Sequence, residues 1–418
     1  MSASPGIPPG HEGSRVRPAL LLALALLSAV APLATDMYLP AFTSMAADLG
    51  TDAAALQLTL TAFLAGLGVG QLIVGPLSDR LGRRSPLLVA AGVCTAASVL
   101  CALAPNVWVL VACRAVQGLA GSAGIVIGRA VISDTARGVA AARAFSTLVA
   151  IGGIAPVVAP LAGGALLGPV GWRGILWVLA GTSVAMFLAA LFFVPETLRP
   201  EHRHAGGLGA TGRAARVVLA DRAYLGYTLA YALGFGALMG YISASPFVVQ
   251  NVLGMSTAAY SAIFAMNALG MVAASAANAR LVGRFKSRTL LRTAQSAVAV
   301  LTAALLVLAV TGRLVPAVGL PLLFLAVALL SPVMSNASAL AIGRAPQSAG
   351  IAGAVMGALQ FGAGAAVSPL VGLGGAHTAV PMTVVMTVSA LLSAACVAAV
   401  RNVPGVPERR PEAALAEG

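Results

Sequence analysis

Gly75-Pro76-Leu77-Ser78-Asp79-Arg80-Leu81-Gly82-Arg83-Arg84 stands where two long apolar runs meet, residues 54–77 and 86–104. Each run is about twenty residues, the length a helix needs to cross hydrocarbon. Glycine permits the tight turn between them, and the four charges keep that turn in water or among headgroups. The stretch therefore reads as a hinge between two membrane-crossing helices. Outward from it the pattern repeats, with further apolar runs at 17–42, 107–131, 142–168 and 174–194, then at 222–248, 257–283, 289–310, 316–341, 349–373 and 377–400. None alternates with period two, so helices are expected and not a barrel. The composition agrees. Charged residues make up 9% and hydrophobic residues 59%, with a mean hydropathy of +0.95, whereas a soluble domain carries about a quarter charged residues.

The twelve runs fall into two sets. Residues 195–221, polar and rich in Arg, His and Gly, separate a six-span unit at 17–194 from another at 222–400. Tails lie at 1–16 and 401–418, of which 1–14 and 403–418 are expected to be disordered. The halves echo each other. Tyr38-Leu39-Pro40 to Leu49-Gly50 resembles Ala244-Ser245-Pro246 to Leu253-Gly254, and the hinge lines up with Arg280-Leu281-Val282-Gly283-Arg284-Phe285-Lys286-Ser287-Arg288. The expected fold is an all-α membrane protein, twelve transmembrane helices in two pseudo-symmetric six-helix bundles. Repeats of this kind place a substrate site at their interface near the bilayer midplane.

A net charge of +13 and a pI near 10.9 are also what a nucleic-acid binder shows, but the distribution argues otherwise. In the twelve-span scheme 22 of the 25 Lys and Arg fall on one side, Arg173 and Arg313 on the other, and Arg114 inside the membrane. That asymmetry follows the positive-inside rule. It places both termini in the cytoplasm, the chain in the inner (plasma) membrane, and the bilayer rather than nucleic acid as partner. Arg15, Arg17 and the run Ala19–Leu27 mimic a signal peptide, here read as an uncleaved first helix. Cys94, Cys101, Cys113 and Cys396 all lie in apolar runs, and the four histidines are scattered in tails and loops. No metal or other cofactor is expected, nor is there a nucleophile–base pair to suggest an enzyme.

An ionisable group in hydrocarbon is costly and points to function. Every acid but one falls in a tail, a loop or a helix end. The exception is Asp36, in the first span, the candidate for carrying protons. Arg114, the lone cation assigned to the membrane, is the candidate for coupling, with a helix clamp as the alternative. Gly75, Asp79, Arg80, Gly82, Arg83 and Arg84 form a charged latch able to hold helices in one state and release them in another. Pro156, Pro160, Gly163 and Gly164 bend and closely pack the fifth span. Tyr38, Gln71, Gln117, Tyr231, Asn267, Asn336 and Gln360 are polar or amphipathic groups within spans. Together they suit a mostly apolar cavity with a few hydrogen-bonding groups.

The motif Asp79-Arg80-x-Gly82-Arg83-Arg84 resembles the signature of the major facilitator superfamily. Thr35-Asp36-Met37-Tyr38-Leu39-Pro40, Arg114-x-x-Gln117-Gly118, Ala159-Pro160-x-x-Gly163-Gly164 and Tyr241-Ile242-Ser243-Ala244-Ser245-Pro246-Phe247 are similar to the Bcr/CflA drug-resistance transporters, as is Asn267-Ala268-Leu269-Gly270. The resemblance runs from about Arg17 to Val400. It implies alternating access and drug:proton antiport, with small amphiphilic drugs such as phenicols or bicyclomycin exported across the inner membrane. A proton-coupled transporter of a metabolite or nutrient is the alternative. It also implies Asp36 as proton site, Arg114 as coupling residue, Asp79 with its arginines as gate, and a monomer as the working unit. Ala159 stands where the broader antiporter motif has Gly, and Ala19–Thr35 holds no second acid. Neutral or singly charged substrates are therefore expected over dications.

Overall fold

The computed structural model describes residues 17–203 and 207–400. The expected tails at 1–16 and 401–418 lie outside the described residues. Among the described residues, eleven helical stretches are long and apolar enough to cross a membrane. One of them, Gly138–Phe193, is broken by Gly171 at φ 66°, ψ −179°, a left-handed position open to glycine. The break turns one long helix into the fifth and sixth crossings, which makes twelve. The fold is the all-helical one expected from sequence.

The first crossing, Pro18–Asp48, is not a continuous α-helix. It runs as Pro18–Ser28, Val30–Asp36, a 3₁₀ turn at Leu39–Ala41 and Phe42–Asp48. Pro40 brings no N–H to a helical ladder, and the turn accommodates it. Asp36 thus closes a short helix just before an interruption. The second to fourth crossings are Ala53–Leu81, Arg84–Ala102 and Val107–Thr135. Polar residues at their starts act as caps: Asp52 accepts from the Ala55 N–H and Asn106 from the Val109 N–H, supplying acceptors the first turn lacks.

Six more crossings follow: Arg222–Val252, Thr257–Val282, Ser287–Val310, Pro316–Ile342, Pro346–Gly372 and Val380–Ala399. Asp221 caps the seventh through the Ala223 and Tyr224 N–H groups, and Ser256 caps the eighth. Between the halves the second crossing packs on the eleventh and the fifth on the eighth. Many large apolar side chains stay exposed, among them Leu22, Val89, Trp108, Phe192 and Val300, as expected of helices whose solvent is lipid.

One expectation needs correction. Within the supposed polar loop 195–221, Gly207–Ala220 is a helix. From Arg213 onward it buries Val218 and exposes Arg213 and Arg216. It rests on the second, seventh and eleventh crossings and so bridges the two halves. The density of Gly and Arg disguised a helical spacing of small and apolar residues.

Candidate functional site

Two spaces lie between the halves. A central cavity of about 400 Å³ is lined by apolar side chains from both, including Leu64, Phe145, Phe235, Met239, Phe264 and Phe361. Its polar lining comprises Thr35, Asp36, Arg129, Tyr241, Asn267 and Gln360, with Ser28. A second space of about 600 Å³ is lined by Asp79, Arg83 and Gly75 on one side and Ala349, Gly350 and Val355 on the other. Phe145 and Arg129 belong to both linings, so the central cavity leads on toward the arginine-rich end.

The opposite end is closed by contacts between halves. Gln57 Nε2 donates to the Ser243 carbonyl at 3.1 Å. Gln250 accepts from Thr43 Oγ1 at 3.3 Å and donates to the Pro40 carbonyl at 3.4 Å. The rings of Phe42 and Phe247 lie 6.1 Å apart. These partners were not legible beforehand, because a Gln within or beside a span looks the same whether it seals an end or bridges a bundle.

Asp36 is buried in the wall of the central cavity, and its Oδ1 has no hydrogen-bond partner. Among the described residues it is the one acid in that lining. Arg114 is fully buried but does not line the cavity, and among the described residues no ion pair joins it to Asp36. Its Nη2 donates to the Ala34 carbonyl at 2.6 Å and its Nη1 to Gln117 Oε1 at 2.7 Å. The guanidinium carbon sits 4.5 Å from the ring centres of both Tyr38 and Phe63, within cation–π range. Arg114 therefore grips the first crossing at Ala34 and Tyr38, on either side of Asp36, through backbone and ring. On the fifth crossing Gly163 packs so closely that a Cβ would collide with the Met37 carbonyl, and Gly164 packs likewise on Ser261. The interrupted turn that carries Asp36 is held from both sides.

The charged hinge forms a cluster. Arg83 bonds Asp79 and donates to Ser78 Oγ at 2.8 Å and Asp134 Oδ2 at 3.0 Å. The Arg83 and Arg84 N–H groups donate to Glu196 at 2.8 and 3.2 Å. Arg84 also reaches the Leu191 carbonyl, while Arg80 is exposed. Gly82, at φ 95°, makes the turn with no room for a side chain beside Glu196. Burial would push the Glu196 carboxyl up, but the backbone N–H groups of Arg83, Leu198 and Arg84, with Arg203, hold it below the ordinary 4.5. The cluster joins the second, third, fourth and sixth crossings. Sequence reasoning left Asp134 and Glu196 out of the latch because they lie far from the motif along the chain.

The remaining candidates divide. Asn267, donating to the Tyr241 hydroxyl at 2.8 Å, and Gln360, accepting from Tyr231 at 2.9 Å, face the central cavity, as does Pro156. Gln71 lines the outer space. Tyr38, hydrogen-bonded to Thr59 at 3.0 Å, and Gln117, donating to Ser98 at 2.7 Å, bridge helices away from it. Asn336 does the same, donating to Asn278 and the Pro332 carbonyl at 2.8 Å. Pro160 is buried in packing. Sequence reasoning missed Arg129. Counted there with the basic residues around the loop after the run 107–131, although inside that run, it lies within the fourth crossing, six residues before its end, so Arg114 is not the lone cation inside the bundle.

A profile of the Major Facilitator Superfamily matches residues 24–369. The chain is 38% identical over 388 residues to the uncharacterized MFS-type transporter YdgK of Bacillus subtilis (strain 168), covering 92% of this chain and 95% of that one. It is 31% identical over 377 residues to the bicyclomycin resistance protein homolog of Haemophilus influenzae, covering 89% and 94%. Among solved structures, the xylose transporter XylE from E. coli in a partially occluded inward-open conformation matches with a TM-score of 0.71 at 16% identity, over 94% of this chain and 99% of that one. The nucleoside transporter NupG matches with a TM-score of 0.69 at 14% identity, over 91% and 99%. At such identities the structural likeness concerns the fold alone.

Proposed function

The chain belongs to the Major Facilitator Superfamily, and within that family of membrane transporters we propose that it is a proton-coupled exporter of small amphiphilic drugs. The observation that carries the reading is Asp36, among the described residues the one carboxylate lining an apolar cavity, with an oxygen that none of them satisfies. A buried carboxylate with an oxygen left unsatisfied is costly when charged, so it takes up or releases a proton as its surroundings change. The kinship with a bicyclomycin resistance protein homolog supports bicyclomycin and phenicols as first substrates to try.

By the positive-inside rule the arginine-rich end is cytoplasmic. The conformation is then inward-facing, sealed outside by Gln57, Gln250 and the Phe42–Phe247 contact. A drug enters from the cytoplasm and lies against the aromatic walls, and a proton leaves Asp36 toward the cytoplasm. Rearrangement opens the other end, the drug departs and Asp36 takes a proton from outside. Arg114, bonded to the Ala34 carbonyl, fixes the turn that presents Asp36 to the cavity. The Asp79–Arg83–Asp134–Glu196 cluster holds four crossings together as one body during this motion. One chain contains cavity and both ends, which supports a monomeric unit.

The test is accumulation of chloramphenicol and bicyclomycin in a pump-deleted host. Expression lowers the level of at least one drug, and a protonophore abolishes the difference. Export that persists after the gradient collapses contradicts proton coupling; unchanged levels of both drugs contradict this substrate assignment.

A further inference from the structure

Arg129 stands in the wall of the cavity, and proton-driven export as described makes no use of it. A Cβ at the preceding Gly128 would lie 3.8 Å from Ser28 Oγ and 4.0 Å from the Leu24 carbonyl, so Arg129 is level with Ser28 on the first crossing. Ser28 precedes Asp36 by eight residues, a helical rise of about 12 Å. Asp36 and Arg129 both line the central cavity and, among the described residues, are its two charged ones. One sits deep in it; the other is where it meets the cytoplasm-side space.

Three other arginines near the bundle interior have partners in the protein, and Arg288, whose Nε and Nη2 are buried without one, lines neither space. Arg114 has Gln117, the Ala34 carbonyl and two rings; Arg83 has Asp79 and Asp134; Arg344 has Asp221. Arg129 is exposed, and its guanidinium makes no ion pair or hydrogen bond among the described residues, only its carbonyl accepting from Ser133 Oγ. Across the cavity it acts electrostatically on Tyr231, whose hydroxyl donates to Gln360. That half supplies no counter-charge: residues 222–400 contain neither Asp nor Glu. A guanidinium facing a cavity with low-dielectric walls focuses positive potential into it. Its planar fork suits a carboxylate or similar anion.

We propose that Arg129 is the anion-recognising residue of the transport cavity. Its ligand is an amphiphile bearing one anionic group, seated on Arg129, with an apolar body running about 12 Å toward Asp36. This rests on the export reading for the identity of the site, but binding without a gradient tests it separately.

The probes are three molecules on one fluorophore: dansylglycine with a carboxylate, neutral dansylglycinamide, and monodansyl ethylenediamine with an ammonium. Fluorescence titrations use the full chain in nanodiscs, as wild type, Arg129→Gln, Arg129→Lys and, for surface charge, Arg216→Gln. Wild type and Arg216→Gln bind the carboxylate about tenfold more tightly than the amide, and the ammonium most weakly. Arg129→Gln loses the tenfold preference while its affinity for the amide, which also reports folding, stays within about twofold. Arg129→Lys keeps a severalfold preference. The proposal is overturned if Arg129→Gln retains the preference, if wild type shows none, or if wild type binds none of the three. Gradient-driven drug export without the preference sinks only this proposal; the preference without gradient-driven export sinks only proton coupling.

Discussion

Replacing Arg114 with Met removes a guanidinium that touches four groups while keeping roughly its volume. Two charge-assisted hydrogen bonds, to the Ala34 carbonyl and Gln117, contribute roughly 1.5–3 kcal/mol each. The faces of Tyr38 and Phe63 add roughly 0.5–2 kcal/mol each. Against this, several kcal/mol of desolvation is relieved when the charge is removed, and Arg114 Nε has no partner to lose. The net expectation is a loss of about 2–4 kcal/mol, enough to lower the unfolding midpoint by several degrees. The assay is thermal denaturation in detergent, followed by a thiol-reactive dye at the buried Cys94 and Cys101. Because Arg114 holds the backbone near Asp36 and not its carboxylate, Asp36→Asn and Arg114→Met should be additive within about 0.5 kcal/mol. Unchanged stability in Arg114→Met, or a coupling above about 1 kcal/mol in the double variant, would refute the clamp.

Three other perturbations follow from the geometry. Gly163→Val drives a side chain into the Met37 carbonyl and should cost about 3 kcal/mol or prevent insertion, whereas Gly152→Ala, which meets nothing within 4 Å, should leave expression and melting unchanged. Gln57→Ala removes the bond to Ser243, worth about 1 kcal/mol, and should raise the outward-open population about fivefold; spin labels flanking the sealed end would show the longer distance grow, and an unchanged distribution contradicts that role. Glu196 titrates below the ordinary 4.5 in the folded protein, so its contribution is complete above that value and is lost as pH falls through the depressed one. Hydrogen exchange at the Arg83 and Arg84 amides, corrected for intrinsic rates, should show constant protection from pH 7 to about pH 5 and a decline only below 4.5; an early decline contradicts the assignment.

The crossings were legible in the sequence because lipid admits long apolar helices and little else. Asp36 was legible for a related reason, since one acid among so much hydrocarbon is costly and points to function, even with a solvated structural Asp near the membrane surface as the alternative. What stayed hidden depends on which way a helix faces. Arg129 lies near a helix end, where cations are ordinary, and only the bundle shows that it looks inward. Asn336 and Gln117 read as cavity groups by composition, yet their partners Asn278 and Ser98 are neighbouring helices. The hinge motif announced itself, but Asp134 and Glu196, which complete it, are 51 and 113 residues from Arg83. The linker helix was obscured because its apolar spacing is short and studded with Gly and Arg.

The central claim is that the carboxylate of Asp36 carries the proton. The direct measurement is drug transport in proteoliposomes containing wild type or Asp36→Asn, in two modes. One is accumulation driven by an imposed pH gradient; the other is exchange of labelled for unlabelled drug with no gradient. Wild type should do both, while Asp36→Asn should lose gradient-driven accumulation and keep exchange, because the cavity survives and only the titrating group is gone. If Asp36→Asn still concentrates drug against its gradient when pH alone drives it, the proton is carried elsewhere and the account is wrong.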